Sequence, residues 1–172
     1  MKTRTAIVAL ILAFLVLPSS ILRGEEKDPG PMINHANSVI LDGSSPREGV
    51  VAALVELLDA SLLILPKARA QDECRSRIET VKKEFDQKSI FSDKAHQYLS
   101  LAYRLVTNGQ RWELPPEMRE PYRQDDIMAA AKRAGQRLVD SALTDWKAGR
   151  SEESVRSLLG YVLMVITPVE SR

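Results

Sequence analysis

Residues 6–17 form an unbroken apolar run, preceded by Lys2 and Arg4 and ended by Pro18, Ser19 and Ser20. That order of basic, apolar and small polar segments is the build of a secretory signal. The consequence for folding is severe. Everything downstream is expected to fold outside the cytoplasm, yet the chain has one cysteine, Cys74. An intramolecular disulfide framework is excluded, so packing alone must hold the fold.

The apolar run is shorter than the roughly 20 residues that span a bilayer comfortably, and it lies in the range of a signal core. Extended through Ile21 and Leu22 it becomes a marginal span. Two outcomes follow: a cleaved signal over residues 1–24, or an uncleaved anchor over residues 6–22. No Ala-x-Ala site is present, and the nearest cleavage candidates lie after Gly24 or around Ser20. No cysteine follows the run, which argues against a lipoprotein anchor. Lys2 and Arg4 before it and Glu25, Glu26 and Asp28 after it put the body outside in either case. The expected location is periplasmic or extracellular, with inner-membrane anchoring as the alternative.

The remainder has the length of one ordinary domain. The chain's formal net charge is +1, which offers no electrostatic case for nucleic acid or for an acidic membrane surface. Residues 25–45 are rich in breakers, with Pro29, Gly30, Pro31, Asn34, Asn37, Gly43 and Ser44 among them. They read as an irregular tether with one apolar point at Val39, Ile40 and Leu41.

Helical grammar begins at Ser45, read as an N-cap followed by Pro46 at the first helical position and Glu48 completing a capping box. This helix runs to about Leu65 with a narrow polar stripe of Glu56 and Asp59, so it is expected at the centre of the domain. Pro66 predicts a break. A second helix over about 68–87 carries Cys74, Ile78, Val81 and Phe85 at helical spacing. A third runs from Ser92 or Asp93 to Asn108 and Gly109, with Ala95, Leu99, Ala102, Leu105 and Val106 on one face. A fourth spans about 125–148, from Asp125 and Asp126 to Gly149. Ser151 is read as the cap of a fifth, whose Val155, Leu158, Leu159, Val162, Leu163 and Ile166 recur at helical spacing until Pro168. No window alternates like a strand. The expectation is an all-α protein: a four- or five-helix bundle over residues 46–172, after a signal or anchor segment and a tether.

No catalytic motif stands out. Asp93 and His96 form one carboxylate-x-x-His unit, but di-iron bundles need two such units and further glutamates, and the only other histidine, His35, is in the tether. Cys74 lies on an apolar stripe and reads as a buried, inert thiol. Arg75, Arg77, Lys82 and Lys83 interleave with Glu73, Glu79 and Glu84, the pattern of a solvated face with local ion pairs. Nucleophile-elbow, phosphate-loop, zincin and haem-attachment motifs are missing. Neither metal nor cofactor is predicted. The 142–159 segment is similar to the helical hairpins of tetratricopeptide repeats, but a single copy without that repeat's motif is generic hairpin grammar.

The strongest candidate for contact with a partner is the 110–123 loop. Trp112, Leu114, Met118 and Tyr122 surround its prolines; loops carry function more often than cores and aromatic residues anchor interfaces, while the competing reading has Trp112, Leu114 and Tyr122 folding back over the open end of the bundle. The sequence therefore predicts a non-enzymatic envelope protein that binds another macromolecule. The alternative is a carrier enclosing a small apolar ligand or a metal among its helices. Membrane contact is expected only through an uncleaved N-terminal segment.

Overall fold

The computed structural model describes residues 27–87, 92–119 and 124–168; residues 1–26, on which the expectation of a signal or anchor falls, and Tyr122 lie outside them. Six α-helices follow one another: α1 Gly30–Leu41, α2 Arg47–Ile64, α3 Asp72–Gln87, α4 Asp93–Val106, α5 Gln124–Lys147 and α6 Ser151–Ile166. Short 3₁₀ turns occupy Arg69–Gln71 and Pro116–Met118. No strand occurs among the described residues, and none of their helices is long and apolar enough to cross a membrane. The all-helical expectation holds. Consecutive helices pack as three pairs, and α6 also touches α2 and α4.

Helix α1 corrects the sequence reading, which made residues 25–45 an irregular tether. Pro29 and Pro31 fall at the N-terminal edge, where a missing N–H costs nothing because no intrahelical acceptor exists there. The Gly30 N–H is satisfied by Asp28 Oδ1 at 2.8 Å. Beyond that point Ile33, Ala36 and Ile40 follow a helical spacing. Ile33 and Ala36 are fully buried, and Ile40 packs against the same core.

The cap expected from Ser45 does not form. Pro46 takes the N-cap position without a side-chain bond, and Ser45 instead donates its N–H to the Asp42 carbonyl, 3.0 Å away. The Asp42 carboxylate accepts both the N–H and the hydroxyl of Ser44, which organises the turn between α1 and α2. At the other end of α2 the chain breaks before Pro66, as expected. The Arg75 guanidinium donates to the Leu62 and Leu65 carbonyls, placing a cation where the helix leaves carbonyls unpaired.

The α3 stripe is as read: Cys74, Ile78, Val81 and Phe85 are all buried. In α4, Ser92 caps through its hydroxyl, but Leu105 is 40 % exposed where the stripe put it inside. The chain leaves α4 through Asn108 and Gly109, both at positive φ, and Gly109 returns its N–H to Arg104. Ser151 is the first residue of α6 rather than its cap, and Arg150 holds the cap position with no side-chain bond.

The central helix is α6, not α2. Eleven of its sixteen residues are buried, because α5, α2 and α4 cover it on three sides. Helix α2 keeps one flank near solvent. Its Glu56 and Asp59 face outward, Glu56 in a hydrogen bond with His35 Nδ1 at 2.8 Å and Asp59 in an ion pair with Lys82 Nζ at 2.6 Å.

One buried polar chain ties the core together. Tyr161, fully buried in α6, donates its hydroxyl to Asn37 Oδ1 of α1 at 2.8 Å. Asn37 Nδ2 in turn donates to Gln136 Oε1 of α5 at 3.0 Å. The Tyr161 ring lies against Gly135 so closely that a Cβ there would sit 2.9 Å from its hydroxyl. Gly135 thus marks a close approach of α5 to α6, not a flexible point.

Candidate functional site

Residues 107–119, the described part of the chain between α4 and α5, border a concavity shared with α4, α5 and α6. The start of this segment is pinned by Thr107, whose hydroxyl donates to the Tyr103 carbonyl at 2.8 Å. Pro115 and Pro116 then set up the 3₁₀ turn Pro116–Met118. That turn drives Met118 inward, where it is 6 % exposed and part of the core. Outside, Glu117 receives a two-toothed contact from Arg137 of α5, at 2.8 Å from Nε and 3.1 Å from the terminal nitrogen. The guanidinium holds the Glu117 carboxyl below the usual carboxylate range. Arg119 closes the loop on itself, donating to the Leu114 carbonyl and to Glu113, each at 2.7 Å.

Beneath this loop lies a cleft of about 290 Å³. Trp112, Leu114 and Pro115 form one wall, Tyr103 of α4 another, and Arg156, Ser157 and Gly160 of α6 the floor. Gly160 lets the indole approach the α6 backbone, since a Cβ added there would be 3.7 Å from the indole nitrogen. Tyr103 is half-buried, and burial raises its hydroxyl pKa against the opposing field of Arg156. The cleft opens onto the outer face of α5 through Arg137, Ser141 and Asp145.

Of the four residues picked from sequence, Trp112 and Leu114 face this cleft while packing partly on the core. Met118 is a core residue and is not offered to a partner. Tyr122 lies outside the described residues. Tyr103, Arg156 and Ser157 were missed. The one available signal was Gly160, an isolated glycine inside a strongly apolar helix, which usually has a packing reason.

The remaining candidates resolve into structure. Cys74 is 1 % exposed, its Sγ faces the Ala102 carbonyl at 3.7 Å, and burial pushes its pKa up to about 11. A protonated, enclosed thiol is a poor nucleophile. His96 is half-buried on the outer face of α4 beside Asp93, and no described group of histidine, cysteine and carboxylate side chains has a metal-holding arrangement. Two of the basic residues of α3 form ion pairs, Arg77 with Glu73 of the same helix at 2.6 Å and Lys82 with Asp59 of α2. Leu54, Leu57 and Leu58 of α2 are fully buried in the core cluster.

The chain matches no family model, and no curated protein and no solved structure is similar to it.

Proposed function

We propose that this is an exported, non-enzymatic binding module of the cell envelope, and that it meets its partner at the cleft under Trp112. The observation that carries the reading is the way the loop is built. It is anchored twice, by Met118 inside and by the Glu117–Arg137 pair outside, yet Trp112 and Leu114 keep part of their surface on an open cleft. A rigid frame that presents an aromatic edge beside arginine is the composition of an interface anchor, and prior rigidity lowers the entropic cost of binding. The export half of the reading is supported by the leader sequence alone.

A pull-down from envelope extract tests the contact. The Trp112→Ala, Leu114→Ala variant is expected to lose the partners that the wild type retains, with an unchanged helical circular dichroism spectrum. Identical partners for both proteins would remove the cleft from consideration. Cell fractionation with intact-mass measurement tests export: recovery of full-length protein, leader intact, from the soluble cell interior would overturn it.

A further inference from the structure

The cleft carries an asymmetry that specifies what it would accept. Its acidic side chains are already engaged by cations. Glu113 is bound by Arg119 at 2.7 Å, and Asp145 by Arg150 at 2.6 Å. Arg137 is likewise taken, by Glu117. Arg156 is the cation left over, exposed at the cleft floor and without an ion pair among the described residues. Three further donors converge there unused. The Trp112 indole N–H, the Tyr103 hydroxyl and the Ser157 hydroxyl make no hydrogen bond with any described residue, and Ser157 is only 5 % exposed.

We infer that the cleft binds a carboxylate carried by an apolar segment of a partner polypeptide, with Arg156 as the principal counter-charge. This rests on the proposed role of the cleft as a contact site and names the chemistry it selects. A single free guanidinium matches one planar carboxylate, as the three arginine–carboxylate pairs around the cleft illustrate, whereas a doubly charged phosphate calls for more cations. The walls of Trp112, Leu114 and Pro115 favour an apolar residue next to the charge. The volume of about 290 Å³ sits at the small end of ligand sites, so one or two side chains fill it.

Two indole N–H signals suffice to test this, because the chain has two tryptophans. ¹⁵N-labelled protein in its exported form is titrated with three probes: acetyl-phenylalanyl-leucine with a free terminal carboxylate, its terminal amide, and acetyl-phenylalanyl-aspartyl amide with only a side-chain carboxylate. Trp112→Phe assigns the peaks. The carboxylate probes are expected to move the Trp112 signal and not that of Trp146, and the amide to bind at least ten-fold more weakly. The stronger of the two carboxylate probes identifies the source, chain terminus or side chain. Arg156→Gln, at an exposed position, is expected to weaken both carboxylate probes at least ten-fold while leaving the rest of the spectrum in place. If the amide moves Trp112 as strongly, or Arg156→Gln changes nothing, the carboxylate inference falls while the cleft stands as a contact site. If no probe moves Trp112, the inference falls as well, and the pull-down alone decides the contact site.

Discussion

Helix α1 and the 107–119 loop begin from the same kind of sequence and end in opposite states. Both are interrupted by prolines and small polar residues, and both contain a few scattered apolar side chains. In α1 the two prolines cluster at the first turn, leaving eleven residues from Pro31 onward free to hydrogen-bond as a helix. In the loop, Pro115 and Pro116 stand in the middle, with room for nothing longer than a 3₁₀ turn. The placement of breakers, not their number, separates a helix from a loop. The outcome for energetics differs as well. Helix α1 contributes a stripe to the core and Asn37, the middle link of the hydrogen-bond chain from Tyr161 to Gln136. The loop contributes one buried anchor, Met118, and leaves its aromatic residue half in solvent.

The comparison can be broken most forcefully at Ile33. Ile33→Ala should lower unfolding free energy by about 2–5 kcal/mol, the range for emptying a filled core site. Trp112→Ala, at a half-buried site, should cost clearly less in the same denaturant titration. If the two losses are equal, the distinction between a structural α1 and a presenting loop disappears. Gly135→Ala probes the second layer of the α1 attachment, since its Cβ would meet the Tyr161 ring and hydroxyl. Overpacking of this kind costs about 1–3 kcal/mol, to be read from the denaturation midpoint. Asn37→Ala leaves the Tyr161 hydroxyl buried without its acceptor, and about 1–3 kcal/mol is expected from calorimetry.

The smallest effect belongs to the loop's outer tie. The Glu117–Arg137 pair is partly exposed, so Glu117→Gln should cost below about 1 kcal/mol of global stability. Its pH dependence has a definite sign. The folded carboxyl titrates lower than the unfolded one, so its contribution is complete above the ordinary carboxylate range, about pH 4–5, and is lost as pH falls through the folded pKa. The Trp112 indole signal should therefore shift at acid pH in the wild type and lose that component in Glu117→Gln. A titration curve unaffected by the substitution would detach the rim pair from the aromatic wall.

Much of the fold was legible because helical spacing is local. The stripes of α3 and α6 were read residue by residue, and each reflects one buried face repeated every three or four positions. What escaped was relational. The apolar richness of residues 45–65 suggested a central helix, but a helix's own composition does not say how many neighbours it will have, and α6 proved to be the one covered on three sides. Glu56 looked like part of a bare polar stripe because its partner, His35, sat in a segment read as a tether. The caps expected at Ser45 and Ser151 also depended on where each helix starts: Pro46 takes the cap position of α2 and Arg150 that of α6, one residue away from each serine. At the cleft, Trp112 and Leu114 were visible as a loop aromatic and its apolar companion. Arg156 and Tyr103 were not, because only the packing of α4 against α6 brings them together.

The enclosed position of Cys74 gives the cell a simple indicator. While the native domain persists, its lone thiol cannot reach a neighbour's, even in an oxidising compartment. Only chains that have lost the α3–α4 seam can become covalently joined. Disulfide-linked dimers of this protein would then count molecules that never folded or that came apart, with the well-folded population staying silent.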